Sequence, residues 1–189
     1  MSFIDKIAAT VMPAASDEDR AQAREKAQQL TQGHDWLDVV LDHHRQIEAA
    51  FDKALNASGA DAKLAALSEL KLVFTGHSNA EESVLYPAVV EYSSKAHATM
   101  AYEEQAAAKI NFAILENIDP ASGDWNEKLK HILSAVQQHV YQEESSWFPD
   151  ILQNLPADRQ QALTTRFSEE YDRYVGERGH EPSHLAPIA

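Results

Sequence analysis

One string of residue types occurs twice in this chain. The first copy is His77-Ser78-Asn79-Ala80-Glu81-Glu82-Ser83-Val84-Leu85-Tyr86-Pro87, and the second is His139-Val140-Tyr141-Gln142-Glu143-Glu144-Ser145-Ser146-Trp147-Phe148-Pro149. Both read His-x-x-x-Glu-Glu-Ser-x-x-aromatic-Pro. Residues four apart share one face of a helix, so each copy projects an imidazole and a carboxylate from a single stripe. A lone pair of this kind carries little, because it is also an ordinary solvated helix contact. With 9 His and 30 acidic residues in 189, roughly 1.4 such pairs are expected by chance. Four occur: His34/Asp38, His44/Glu48, His77/Glu81 and His139/Glu143. Chance does not supply repetition of the whole string down to Ser and aromatic-Pro. That repetition points to a metal site rather than an incidental surface pattern.

The surrounding residues are helix formers. Only 6 Gly and 7 Pro interrupt a chain rich in Ala, Leu, Glu and Gln, and 189 residues suffice for one domain with a sizeable core. There is no Cys, which removes thiolate metal sites, disulfides and cysteine nucleophiles. A formal net charge of -14 gives no electrostatic support for binding phosphate or nucleic acid, and is compatible with binding cations. The apolar run Ile7 to Met12 is too short for a signal peptide, and no run approaches a membrane span. A cytoplasmic helical protein is expected.

Ser16-Asp17-Glu18-Asp19 forms a capping-box pattern that predicts an accessory helix to about Leu30. The first bundle helix runs from about Asp35 to Leu55, with Trp36, Val40, Ile47, Phe51 and Leu55 on its apolar stripe and His44 among them. A histidine on such a stripe is, taken alone, more often a satisfied core residue than a ligand. The second begins near Asp61 and sets His77 and Glu81 on the same stripe as Leu67, Leu70 and Phe74. A carboxylate on a core stripe is costly unless it is paired or holds a metal. Pro87 is expected to kink or end that helix. The third, from about Ser94 to Asn117, puts Gln105 between Ala101 and Ala108, which leave room for a cofactor or simply allow close packing. The fourth is given a capped start at Asp124 with Glu127 and carries His139 and Glu143 beside Leu129, Ile132 and Val136. Pro156 opens a last helix to about Tyr174. Glu177-x-x-His180, between Gly176 and Gly179, lies in a tail expected to be mobile.

Four long helices with short connections imply an all-α, up-down-up-down four-helix bundle with an extra N-terminal helix and a C-terminal helical extension. The expected division is an accessory segment over 1–33, the bundle over 34–154, and a last helix and tail over 155–189. The two string-bearing helices should lie diagonally across the core. Each two-helix half is then a pseudo-repeat, with His44 corresponding to Gln105. Five donors from three helices (His44, His77, Glu81, His139 and Glu143) exceed what one zinc needs and favour two ions of iron, manganese or zinc.

These residues resemble the hemerythrin-like HHE cation-binding domains. The carriers are Asp42-His43-His44-Arg45-Gln46-Ile47, the two strings, and Glu103-Glu104-Gln105, over about residues 35 to 150. The resemblance implies a bundle holding two iron ions, oxo- or carboxylate-bridged, with reversible dioxygen binding, peroxide or nitric oxide handling, and iron or oxygen sensing among the family's activities. It assigns His44, His77, Glu81, His139 and Glu143 as metal ligands. The chain departs from the family in its third bundle helix, where Gln105 and Lys109 stand in place of histidines. Glu104 and the phenol of Tyr102 are the candidate replacements beside Gln105. The leading expectation is a di-iron protein acting on a small oxidant or gas. An iron sensor or store without turnover and a mononuclear zinc or manganese enzyme using His77, Glu81, His139 and Glu143 are the alternatives. Glu82 and Glu144 are expected either to support the neighbouring ligands or, the favoured reading, to lie at the surface, and Tyr86 and Phe148 to cap the core.

Overall fold

The computed structural model describes residues 14–31 and 35–176. The run Ile7 to Met12, His34, and the tail with Glu177, His180 and His184 lie outside the described residues. The described residues form helices and no strand: α1 (Asp17–Leu30), α2 (Trp36–Asn56), α3 (Ala60–Ala80), α4 (Tyr86–Tyr92), α5 (Lys95–Leu115), α6 (Gly123–Gln142), α7 (Phe148–Asn154) and α8 (Ala157–Val175). No described helix is long and apolar enough to cross a membrane.

Local chemistry accounts for most boundaries. Ser16 and Asp19 close the capping box that starts α1, Asp35 accepts from the Asp38 N–H to start α2, and Ser94 accepts from the His97 N–H to start α5. Gly59 turns the chain between α2 and α3 with φ +88°, a conformation that strains any residue with a Cβ. The expected capped start at Asp124 is not formed. Ser122 stands at the N-cap, α6 begins one residue before Asp124, and no side chain caps it.

The two prolines neither end nor sharply break their helices. Each string passes through one widened turn, Glu81–Leu85 and Glu143–Trp147, in which the N–H of Tyr86 bonds to the Glu81 carbonyl and that of Phe148 to the Glu143 carbonyl. A five-residue turn adds one residue to the helix and relieves the clash a proline ring makes with the preceding turn. Pro87 and Pro149 then fall in the first turn of α4 and α7, where the missing N–H costs nothing.

α2 packs against α3 and α6, while α5 packs against α6, α4 and α3. The string-bearing helices therefore lie on one diagonal and α2 and α5 on the other. α8 covers the α2–α3 side, and α1 lies over the widened turn of the second string. Gly76 permits the approach of α8, since a Cβ there would stand 2.2 Å from Val175 Cγ2. The core comprises two apolar clusters. One contains Trp36, Leu41, Leu85, Trp147, Phe148 and Phe167; the other contains Ile47, Phe51, Leu70, Phe74, Phe112 and Ile132. Between them lies a layer of buried polar side chains: His44, His77, Glu81, Gln105, His139 and Glu143.

Candidate metal centre

The polar layer is built by helical spacing up to Glu81 and Glu143 and by the widened turns after them. His77 Nε2 lies 3.2 Å from Glu81 Oε1, and His139 Nε2 lies 3.1 Å from Glu143 Oε1, each four residues apart on its helix. His44 Nε2 reaches in from α2, 3.4 Å from Glu143 Oε2 and 3.8 Å from Glu81 Oε1. His44, Glu81 and Glu143 are fully buried. His44, His77, Glu81 and Glu143 each bring one donor atom within 4.8 Å of the others, a group that could hold a metal ion.

The hydrogen bonding divides each carboxylate between two sides. Oε1 of Glu81 and Oε2 of Glu143 face His44 and His77, and neither has a hydrogen-bond partner; nor has His44 Nε2. The opposite oxygens face the other side. Glu81 Oε2 accepts from Gln105 Nε2 at 2.5 Å, and Glu143 Oε1 accepts from the Tyr86 hydroxyl at 3.0 Å. That hydroxyl also lies 3.0 Å from His139 Nε2 and 3.4 Å from Glu81 Oε2. Orphaned buried acceptors beside an orphaned ring nitrogen are costly in a folded protein and fit a site that takes a cation.

Outside this ring, two carboxylates orient the imidazoles. Glu144 Oε1 lies 2.8 Å from His44 Nδ1, and Glu104 Oε2 lies 2.8 Å from His139 Nδ1. A carboxylate at Nδ1 fixes the tautomer that leaves Nε2 available to a metal. Burial alone would lower the pKa of His44, but the carboxylates of Glu143, Glu144 and Glu81 around its ring hold it well above the usual histidine range. For His139, burial is likewise outweighed by the charge of Glu143 and the bond to Glu104, which raise it to about 10. Burial pushes Glu81 up, yet the neighbouring His77 and His44 pull it below the usual carboxylate range. Glu143, pushed up by burial and by Glu81, is drawn down by His139 and His44. Burial, then the charges of Glu143 and Glu81, drive the Tyr86 phenol far above its ordinary value. Without a cation, these shifts favour protons on His44 and His139 beside the carboxylates.

The family model described as the hemerythrin HHE cation binding domain matches residues 35–151. The chain belongs to this family. Among curated proteins, the DNA nickase of Nostoc sp. (strain PCC 7120 / SAG 25.82 / UTEX 2576) is 26% identical over 143 residues, covering 73% of this chain and 41% of that protein. This hemerythrin-type chain thus spans less than half the length of that curated relative. No solved structure matches.

Of the side chains singled out in the sequence, the hemerythrin-type fold gathers His44, His77, Glu81, Glu143, His139 and Gln105 around one centre. Glu104 touches the outer nitrogen of His139 rather than the ring of donors. Tyr102 is not brought in. It is 39% exposed, its hydroxyl donates to the Glu82 carbonyl at 2.6 Å, and only its ring touches Tyr86. Two expectations about the strings need correction. Glu144 is 1% exposed and bonded to His44, whereas Glu82 sits at the edge on Lys109. Tyr86 is more than a cap, because its hydroxyl enters the centre while Phe148 in the second string offers none. An α-helical residue five positions on points about 140° away; the widened turn instead sets Tyr86 over Glu81. The signal available in the sequence was the pair of prolines, each marking where the helical period had to change.

Proposed function

We propose that this chain is a non-haem di-iron protein that binds or reacts with a small oxidant: dioxygen, peroxide or nitric oxide. The observation that carries this reading is the split of the two carboxylates, one oxygen of each facing His44 and His77 and the other facing His139, Tyr86 and Gln105. That division suits two cations held side by side, with Glu81 and Glu143 shared between them. His44 and His77 would complete one position. His139 and the Tyr86 oxygen would complete the other, beside the weak donor Gln105. Imidazole and carboxylate without thiolate suit iron, and also manganese or zinc. Iron in such a site, when bound, supplies electrons to an oxidant and an open coordination position for it.

The chain's own groups then have definable tasks. Glu144 and Glu104 hold His44 and His139 with Nε2 inward. The Tyr86 hydroxyl donates to Glu143 Oε1 and can give up or take a proton at that atom. The two apolar clusters exclude bulk water from both sides of the polar layer. Two surface clefts flank α1, one lined by Arg24, Gln28 and Arg45, the other by Lys26, Tyr141 and Glu144; neither includes a donor residue. Burial of His44, His77, Glu81 and Glu143 favours a small reactant over a large one. The relative named as a DNA nickase prompts no nucleic-acid substrate here, because a net charge of -14 opposes a phosphate backbone.

A second reading has its own support. His44, His77, Glu81 and Glu143 alone make a four-donor set, the number a single zinc takes. Metal analysis of protein purified from iron-replete cells, with its ultraviolet–visible spectrum, separates the two. Roughly two irons per chain with charge-transfer bands supports the di-iron reading, and consumption of peroxide, nitric oxide or dioxygen then distinguishes turnover from sensing or storage. One zinc per chain without colour supports the single-metal reading; no metal refutes both.

A further inference from the structure

The N-terminal helix is joined to the centre by a single side chain. Arg24, on α1, donates from Nη1 and Nη2 to Glu48 at 2.7 and 3.0 Å, and from Nε to Glu144 at 2.9 and 3.2 Å. Glu144 in turn holds Nδ1 of His44 at 2.8 Å. Elsewhere α1 is seated by two small buried residues, Ala23 and Ala27, and by Gln28, which bonds Asp38 and Arg45 of α2. The planar guanidinium spans two carboxylates at once, which a point charge on a flexible stem cannot do in the same way.

The pseudo-repeat shows what this bridge is for. Four residues after His44 comes Glu48; four residues after its counterpart Gln105 comes Lys109. On the Gln105 side, Lys109 neutralises Glu82, the counterpart of Glu144, at 2.7 Å from within the bundle. Glu82 has no imidazole to orient, because Gln105 stands where His44 corresponds. On the His44 side the bundle supplies a second carboxylate instead of a cation, and the missing charge comes from outside, on α1. The helix is recruited on the side where a carboxylate must be held against a histidine.

We propose that Arg24 is a positioning residue for the metal site, acting through Glu144 on His44, and that docking of α1 and metal binding are coupled. This rests on the metal-binding reading above. The coupling is reciprocal: whatever factor docked α1 adds to metal affinity, bound metal adds to docking. Removing a cation near a metal would by itself strengthen metal binding. A weaker site in an Arg24 variant that keeps its helices therefore points to lost positioning.

The test is metal affinity, by chelator competition with manganese(II) and, without oxygen, iron(II), on full-length wild type, Arg24→Ala, Arg24→Lys and Glu144→Gln. Circular dichroism checks that each variant keeps its helices. Arg24→Ala and Arg24→Lys are expected to weaken binding by about tenfold or more. Arg24→Ala combined with Glu144→Gln should be no worse than the poorer single variant. Metal should also slow tryptic cleavage at Arg20 and Lys26 in the wild type and lose that effect in Arg24→Ala. Equal or tighter binding by Arg24→Ala, wild-type affinity in Arg24→Lys, or proteolysis indifferent to metal overturns the proposal while leaving the metal site standing. A wild type that binds no metal overturns both.

Discussion

Tyr86→Phe isolates one hydroxyl at the centre. Phe148 occupies the corresponding position of the second string, and it is fully buried after the same widened turn, so a phenyl ring fits this place in the fold. What the substitution removes is the donor to Glu143 Oε1 at 3.0 Å and the neighbour of His139 Nε2 at 3.0 Å. A hydrogen bond to a charged group contributes about 1.5–3 kcal/mol. Glu143 Oε1 keeps His139 Nε2 at 3.1 Å, which puts the loss at the lower end, about 1.5 kcal/mol. For a chain of this size that lowers the melting temperature by about 3–6 °C. The assay is thermal unfolding followed by circular dichroism on metal-stripped protein, wild type beside variant. After loading, the variant should hold less metal on the His139 side, and any tyrosinate-to-iron band of the wild type should vanish. A melting temperature unchanged to within about 1 °C, together with unchanged metal content and spectrum, would refute the role given to this hydroxyl.

Three further outcomes are expected. Gln105→His places an imidazole opposite Glu81 Oε2 and should raise metal occupancy of the His139 side by about tenfold in affinity; equilibrium dialysis reads this directly. Gly76→Ala drives a methyl into Val175 and should cost about 1–2 kcal/mol after the gain in helix propensity, seen in urea unfolding; a variant more stable than wild type would mean that α8 is not seated on α3. In the metal-free protein, His44 and His139 bind protons more tightly folded than unfolded. Their stabilisation is complete below the ordinary value of 6.5 and is lost as pH rises through the folded values, about 10 for His139. Glu81 and Glu143 stabilise fully above 4.5 and lose this as pH falls through their lowered values. The metal-free melting temperature should therefore fall from pH 6.5 towards 10. The gain from added metal should instead grow with pH, because the metal displaces those protons. A metal-free melting temperature that rises over that range contradicts the charge pairing.

The helices and much of the site were legible because their information is local. Imidazole and carboxylate four residues apart on an apolar stripe need only helical geometry to meet. Repetition identified the diagonal pair without knowledge of the rest. Tyr86 was hidden because the widened turn changes the period between it and Glu81, and a reading at 3.6 residues per turn sends it elsewhere. Glu144 was hidden for a different reason. Next to a ligand in sequence, it should point away, and it does; but it points to His44 on α2 and to Arg24 on α1, 120 positions distant. Spacing within a helix carries no information about such partners. Tyr102 failed as a candidate because adjacency to Gln105 says nothing of direction, and the Glu82 carbonyl was the nearer acceptor.

The two halves of the chain share a string but not an environment, and the differences work in one direction. The first side has His44, its orienting Glu144, and a helix brought in to hold that carboxylate. The second has Gln105 where His44 would correspond, and the Tyr86 hydroxyl where Phe148 corresponds. An amide and a phenol in place of an imidazole leave that side with weaker neutral donors. Both carboxylates nevertheless present an oxygen to it. Two cations bound here would therefore be unequal, the one near His139 being easier to remove and more open to a small reactant. The sharing of Glu81 and Glu143 would transmit a change at the open position to the His44 side. From there Glu144 and Arg24 lead to α1. The asymmetry of the two ends resides in a few side chains: Gln105 against His44, Tyr86 against Phe148, and Lys109 against Glu48.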